Sequence, residues 1–574
     1  MQRRNILFRI RFLSVAVAII GGLLVSRLYY LQIMQADAFA DKAERQYVHT
    51  TSDLYSRGSI LFTGKDGEKL SAASVQAGYI LAANPAHIAD PSGYCEKLHS
   101  YLLIERELCI ERASLPNRTY VELEDQLSSA QATEIEALKI DGAMLYRNQW
   151  RYYPGGKLSA RSIGFVGYND KDGTELRGKF GLERQYDEVL FKKREVLSVN
   201  FFAELFSNVG DMVYKKGEES KTGDVITTLD PNVSRLLDKV LVETNDFYKS
   251  KMTGAIIMDP KTGAIYAMNV VPGFDLNERE SATIEQFRNP LVEDVYEMGS
   301  IIKPLTVAAG IDAGVINAGT TYYDPGCITL STYTICNFDL KGRGTVSMQE
   351  VLNQSLNTGV SYIADQMGKE RFRNYFLSYK LGVESGIDLP NETHGLTENL
   401  NSPRELEYAT ASFGQGIALT PIATIRALSA LGNGGTLVTP HLVDRIEYED
   451  GTVKEIRYPE GDRVLSEETS EEISRMLTGV VDDALRGGDV ALPNHTIGAK
   501  TGTAQIPDPV NGGYYEDKYL HSFFGYFPAF EPRFIVFMYT VEPQGVRYAS
   551  ETLTDPFMEI TKFLINYYSI PPDR

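Results

Sequence analysis

Strand signals in this chain stand at the two ends of a long, mainly helical stretch. A hairpin reads as Ala255–Met258, a turn at Asp259-Pro260-Lys261-Thr262-Gly263, and a return strand Ala264–Val270. Three further strands, Thr496–Ile506, Ser522–Tyr526 and Phe534–Val541, stand near the C-terminus. Strands at both ends with helices between them predict an α+β arrangement, a mostly antiparallel sheet covered by helices. Just before the hairpin, Gly223–Thr228 reads as a strand. Asp230-Pro231 then opens a helix with an apolar stripe at Leu236, Leu237, Val240 and Leu241.

A chain of 574 residues can bury at least two sizeable cores, and 43% hydrophobic with 23% charged residues is globular composition. A net charge of −19 leaves no basic surface for phosphates and argues against nucleic acid as a partner. The N-terminus constrains more. Arg3, Arg4, Arg9 and Arg11 precede an apolar run from Phe12 to Ser26, which resumes past Arg27 as Leu28-Tyr29-Tyr30-Leu31. This pattern predicts a membrane anchor at 12–33, with 1–11 in the cytoplasm and everything after 33 outside. The alternative is a cleaved signal peptide with Ala38-Phe39-Ala40 as its site, although bulky residues separate that site from the apolar run.

The four cysteines are Cys95, Cys109, Cys327 and Cys336. Export favours disulfides, and the simplest of three connectivities is Cys95–Cys109 with Cys327–Cys336; buried free thiols are the alternative. No Cys-x-x-Cys or His-Glu-x-x-His occurs, so no metal site is expected. Residues 34–222 mix charged helical stretches, such as Asp125–Lys139, with short strands and carry no chemical motif. They read as a spacer or pedestal, in which Arg57 and Glu183 are surface charges or interdomain contacts.

Three short pieces carry chemistry. In Ser300-Ile301-Ile302-Lys303 a hydroxyl and an amine share one helix face, and Pro304 puts Ser300 at the helix start. The positive end of the helix dipole favours an alkoxide there and disfavours an ammonium, which suits Lys303 as a neutral base for Ser300. In Ser355-Leu356-Asn357, Ser347-Met348-Gln349-Glu350 reads as a capping box, so Ser355 falls near the end of a short helix; a hydroxyl and an amide there suit proton relay and amide binding. The third piece is Lys500-Thr501-Gly502-Thr503. Lys500, Thr501 and Thr503 offer a cation and hydroxyls to a carboxylate, and Gly502 allows close backbone approach.

Each piece is weak alone. Ser198-Val199-Asn200 copies the second, while Lys221-Thr222-Gly223 and Lys261-Thr262-Gly263 copy the third; of the three Lys-Thr-Gly copies only the one at Lys500 is strand-borne. Their order and spacing, 55 and then 145 positions, give the combination its specificity.

On these motifs the chain resembles the class B penicillin-binding proteins over nearly its whole length. Pro272-Gly273-Phe274-Asp275 after the hairpin, Phe413-Gly414-Gln415-Gly416, His521-Ser522-Phe523-Phe524-Gly525-Tyr526, Arg57-Gly58-Ser59-Ile60 and Gly181-Leu182-Glu183 add to the likeness. Met298 stands where the family usually has Pro, and Phe62-Thr63 where Asp-Arg is common.

The resemblance implies a five-stranded transpeptidase domain at 251–574, a linker at 223–250 and a pedestal or dimerisation-type domain at 34–222. It implies a peptidoglycan D,D-transpeptidase acting on D-Ala-D-Ala stem peptides, with Ser300 as nucleophile, Lys303, Ser355, Asn357 and Lys500 catalytic, and Thr501, Gly502 and Thr503 binding substrate. β-Lactams are the implied covalent inhibitors. A glycan polymerase, division proteins and the membrane are the implied partners, and no cofactor is required. Asn357 points to the septal rather than the elongation subgroup. A D,D-carboxypeptidase, a β-lactamase-like hydrolase and a non-catalytic division scaffold are the competing readings.

Overall fold

The computed structural model describes residues 21–22, 26–27, 56–168, 176–191 and 221–574, apart from 331 and 460. The expected anchor at 12–33 lies outside the described residues but for four positions, and Ser198-Val199-Asn200 lies wholly outside them. Among the described residues no helix is long and apolar enough to cross a membrane.

Chain contacts divide the protein into two compact units. In the smaller, the later part of strand Lys69–Ala83 pairs with Val121–Leu127 and Ala143–Tyr152. Helices Pro91–Leu98 and Arg106–Ala113, joined by the Cys95–Cys109 disulfide, pack on a core that includes Leu81, Leu98, Leu123 and Ile135. The helix expected over 125–139 starts only at Ser129, behind a capping box made by Ser128 and Gln131, because the residues before it form the Val121–Leu127 strand.

The larger unit comprises Arg57–Ser74 and Arg151–Arg574. It is built on α1 (Pro231–Tyr248), β1 (Met252–Met258), β2 (Ile265–Val271), β3 (Gly498–Pro507), β4 (Tyr514–Phe527), β5 (Phe534–Val541) and a C-terminal helix, Thr554–Tyr567. The five strands form one antiparallel sheet in the order β3-β4-β5-β1-β2, so the early hairpin and the late strands meet at the β5–β1 pair. Side chains alternate across it with the period of a strand. Ala255 and Ile257 face α1 and the C-terminal helix, while Ile256 and Met258 face the larger core built from the intervening helices. Asp230 caps α1 by accepting from the Asn232 and Val233 amides at 2.8 and 3.2 Å, with Pro231 in the first turn.

The strand at Gly223–Thr227 joins a different sheet, antiparallel to Val443–Tyr448 and parallel to Ile60–Thr63. The compact unit therefore crosses the expected boundaries at 222 and 250, since residues 57–74, 151–191 and 221–250 all belong to it.

Arg57 and Glu183, expected at a surface or between domains, are buried in this unit. Glu183 accepts from Arg57 Nε and Arg151 Nε at 2.6 Å each, Arg57 also reaches the Asp187 carboxylate at 2.7 Å, and Arg151 donates to the Gly58 carbonyl at 2.7 Å. Removing one member of a buried ion cluster leaves the others uncompensated. Glu183→Ala is therefore expected to destabilise the larger unit by about 3–5 kcal/mol. A urea titration followed by tryptophan-independent far-UV dichroism checks this, with exposed Glu455→Ala as the reference expected to change little.

Candidate active site

Ser300 sits in a tight turn, Gly299–Ile302, that runs directly into α2 (Lys303–Asp312), with Pro304 in the first helical turn. The turn lies on edge strand β3. A Cβ on Gly502 would stand 2.4 Å from Ser522 Oγ and 2.9 Å from the Met298 carbonyl oxygen. Gly502 thus admits the Ser300 turn against the strand. Met298, standing where Pro was expected, is fully buried, and its carbonyl accepts from Ser522 Oγ at 2.7 Å.

Lys303 is completely buried. Its Nζ donates to the Ser355 carbonyl at 2.5 Å and to Ser355 Oγ at 3.1 Å, and among the described residues it has no carboxylate partner. Burial first, and the charge of Lys500 second, hold the Lys303 amine well below the ordinary lysine range. Ser355 turns both oxygens toward that amine from a left-handed backbone conformation (φ 54°), between helix Met348–Asn353 and α3 (Asn357–Met367). Ser347 caps the first of these helices, but the box is half made. The Glu350 carboxylate accepts from Asn353 and Gln354 instead of reaching back.

Asn357 donates from Nδ2 to the Cys336 carbonyl at 2.8 Å. Lys500 is 3% exposed, and burial lowers its amine to about 8. Thr503 Oγ1 accepts from the Ala549 amide at 3.1 Å and keeps its own proton to donate, while the Thr501 hydroxyl has no partner among the described residues. Ser300, Ser355, Asn357, Lys500, Thr501 and Thr503 all line one cleft of about 1030 Å³; Lys303 lies behind Ser355, and Gly502 faces the nucleophile turn. The other two Lys-Thr-Gly copies lie elsewhere. Lys261 and Thr262 sit in a turn held by Asp259, while Lys221 and Thr222 pair with Asp450 and Glu449 at the start of a strand.

The segment Arg547-Tyr548-Ala549 also lines the cleft and has no sequence motif. His521 Nε2 donates to the Arg547 carbonyl at 3.0 Å, which leaves Nδ1 to accept from Thr552; burial lowers its imidazole to about 4 and keeps it neutral. Tyr548 meets Phe338 edge-on at 5.6 Å. The charged lining residues are Arg343, Arg486, Lys500 and Arg547, with no carboxylate among them; Arg343 and Arg486 are paired with Asp339 and Asp555, so Lys500 and Arg547 are the cations the cleft offers an anionic ligand. Among the described residues no cluster of three potential metal ligands forms.

A family model for the penicillin binding protein transpeptidase domain matches residues 253–562. The chain is 26% identical to the probable peptidoglycan D,D-transpeptidase PenA of Neisseria gonorrhoeae, over 99% of this chain and 94% of that one. It is 28% identical to stage V sporulation protein D of Bacillus subtilis, over 97% and 84%. The solved structure of penicillin binding protein 2X from Streptococcus thermophilus has the same fold, with a TM-score of 0.71 and 21% identity over 90% of this chain and 81% of that one.

Two outcomes follow from the two buried amines. Lys303 must be neutral to accept a proton, and Lys500 charged to hold an anion, so the rate of Ser300 acylation by a penicillin should fall on the alkaline side as Lys500 deprotonates near pH 8. Lys500→Arg should remove that alkaline limb, because guanidinium stays charged; a limb unchanged in the variant assigns the titration to another group. Thr501→Val should cost about tenfold to a hundredfold in acylation efficiency, the worth of a hydrogen bond to a charged group, while Thr222→Val and Thr262→Val should be neutral.

Proposed function

The chain belongs to the penicillin-binding protein transpeptidase family, and from that premise we propose that it is a class B peptidoglycan D,D-transpeptidase. The observation that carries the reading is Lys303: a fully buried amine with no carboxylate partner, bonded to Ser355 and placed behind the nucleophile turn. Burial disfavours the charged form of such an amine and suits it to take a proton.

Ser300 Oγ attacks the carbonyl of the penultimate D-alanine, and its proton passes to Lys303 Nζ. Backbone N–H groups of Ser300 and Thr503 hold the oxyanion. Collapse breaks the peptide bond, and the leaving amine of D-alanine takes its proton from Lys303 through the Ser355 hydroxyl. Thr501, Thr503 and Lys500 hold the terminal carboxylate, a role supported by the carboxylate-free lining of the cleft. Asn357 holds the donor peptide's amide. The amine of a second stem then attacks the acyl-enzyme and releases Ser300 with the crosslink made. β-Lactams enter by the first half of this sequence and stay on Ser300.

Residues 12–33 anchor the chain in the membrane, with 1–11 cytoplasmic and the catalytic unit outside; the flanking arginines and the apolar run support this. The N-terminal region is a non-catalytic pedestal. Asn357 supports a septal role, in which the glycan strands come from a partner polymerase and division proteins bring the two together.

Ser300→Ala is expected to abolish covalent labelling by a fluorescent penicillin, and peptide mass spectrometry of the labelled wild type should find the adduct on Ser300. An adduct on another serine would sink the assignment. With purified lipid-linked stems and a polymerase, crosslinked dimers should exceed trimmed monomers; trimming alone would make the protein a carboxypeptidase.

A further inference from the structure

We infer that the disulfide-bonded ribbon Cys327–Cys336 positions Asn357, so that the covalent state of this cystine sets how fast Ser300 is acylated. The inference rests on the transpeptidase reading above and adds a residue pair to its machinery. The ribbon consists of two four-residue strands, Cys327–Leu330 and Tyr333–Cys336, that pair only with each other. A two-stranded hairpin of that size is marginal in water and needs a staple. The disulfide supplies one, across the outermost residue pair of the ribbon.

The second strand of the ribbon lines the cleft through Tyr333, Thr334, Ile335 and Cys336, and from its end pair one hydrogen bond reaches Asn357. The Cys336 carbonyl accepts from Asn357 Nδ2 at 2.8 Å, and both Cys336 and Asn357 line the cleft. The peptide unit that carries this carbonyl is gripped from both sides. On one side Cys336 is tied covalently to Cys327. On the other, Asn337 donates from Nδ2 to both oxygens of Asp324, at 3.0 and 2.9 Å, and accepts the Thr358 amide at 3.3 Å. Asp324 is 1% exposed and also accepts from Thr358 Oγ1 at 2.7 Å and from the Gly326 and Arg343 amides at 2.9 and 3.0 Å. The buried carboxylate therefore fixes Asn337 to the first turn of α3, and the cystine fixes the residue before it. Opening the cystine removes the covalent tie and leaves the peptide unit to the Asn337 N–H bond to the Gly326 carbonyl at 2.9 Å, so the acceptor of Asn357 loosens while the Asp324 cluster keeps α3 in place.

The cystine is half-buried, within reach of a small reductant. A water-soluble phosphine reduces it by two electrons: the S–S bond breaks, two thiols form with protons from water, and the phosphine leaves as its oxide with the water oxygen. The experiment uses the full chain in detergent and measures the second-order rate of acylation by a fluorescent penicillin, before and after phosphine treatment. Thiol alkylation and mass spectrometry confirm which cystine has opened. In the wild type, reduction of Cys327–Cys336 is expected to slow acylation about tenfold, the loss typical of one hydrogen bond to a reacting complex. Cys327→Ser with Cys336→Ser should be slow from the start and indifferent to phosphine.

Asn357→Ala separates positioning from general damage. In that background the route through Asn357 is gone, and reduction should change the rate less than twofold, because the lining residues Tyr333, Thr334 and Ile335 keep the ribbon's own strand pairing. An equal loss in both backgrounds overturns the inference, and so does an unchanged wild-type rate with both thiols alkylated. Failure of the oxidised wild type to label at all overturns the transpeptidase reading instead.

Discussion

An amine with no carboxylate to pair with has been taken entirely out of water at Lys303, and the catalytic unit is arranged around that fact. Burying an ammonium unpaired costs more than a fold of ordinary stability can bear, so the group gives up its proton. Its two hydrogen bonds then decide the geometry of Ser355, which holds its carbonyl and hydroxyl toward Nζ only by adopting a left-handed backbone. Lys500, buried as well, adds a like charge that lowers the Lys303 amine further. Two lysines of one site are thus lowered to different degrees by burial, which suits Lys303 to take a proton and Lys500 to stay charged.

The same economy of space governs the contact between the nucleophile turn and the sheet. Turn and edge strand meet backbone to backbone at Gly502 and at Gly299, where an added Cβ would stand 2.9 Å from the Thr503 carbonyl oxygen. Gly299 has a positive φ as well, so a side chain there would be both strained and blocked. Ser522, one strand further in, ties the Met298 carbonyl to the sheet. The distance between Ser300 and the residues of β3 is therefore set by main-chain contact and is insensitive to how neighbouring side chains repack.

Much of this was legible in the sequence wherever local pattern and tertiary structure agree. Apolar β-branched runs at 252–271 and 534–541 read as strands and form them. Strand β4 shows where pattern fails. Ser522–Tyr526 of its buried half was visible, but the strand begins at Tyr514, and Tyr514–Tyr519 carries charged residues and pairs only because β3 runs alongside it. The cystine pairing was legible from sequence proximity. What could not be read was whatever depends on distant partners. Glu183 looks like any surface carboxylate until Arg57 and Arg151 arrive from 126 and 32 positions away. Arg547 and Tyr548 line the cleft because His521 and Thr503 hold their backbone, and no spacing rule connects those residues. Gly502 was recognised as a close-approach residue, and one backbone that approaches it is the protein's own Ser300 turn.

The order of strands also governs how such a chain can come to be folded. The middle of the sheet is the pairing of Met252–Met258 with Phe534–Val541, about 280 residues apart along the chain. Contacts so remote close a very large loop, which is slow and which no local structure can anticipate. Until the last strand is available, the early hairpin and the β3–β4 pair each carry an open edge with unpaired amides and carbonyls. A nascent chain of this design spends its synthesis as two half-sheets prone to pairing with strangers, and a ribosome that stops before Phe534 leaves them permanently apart.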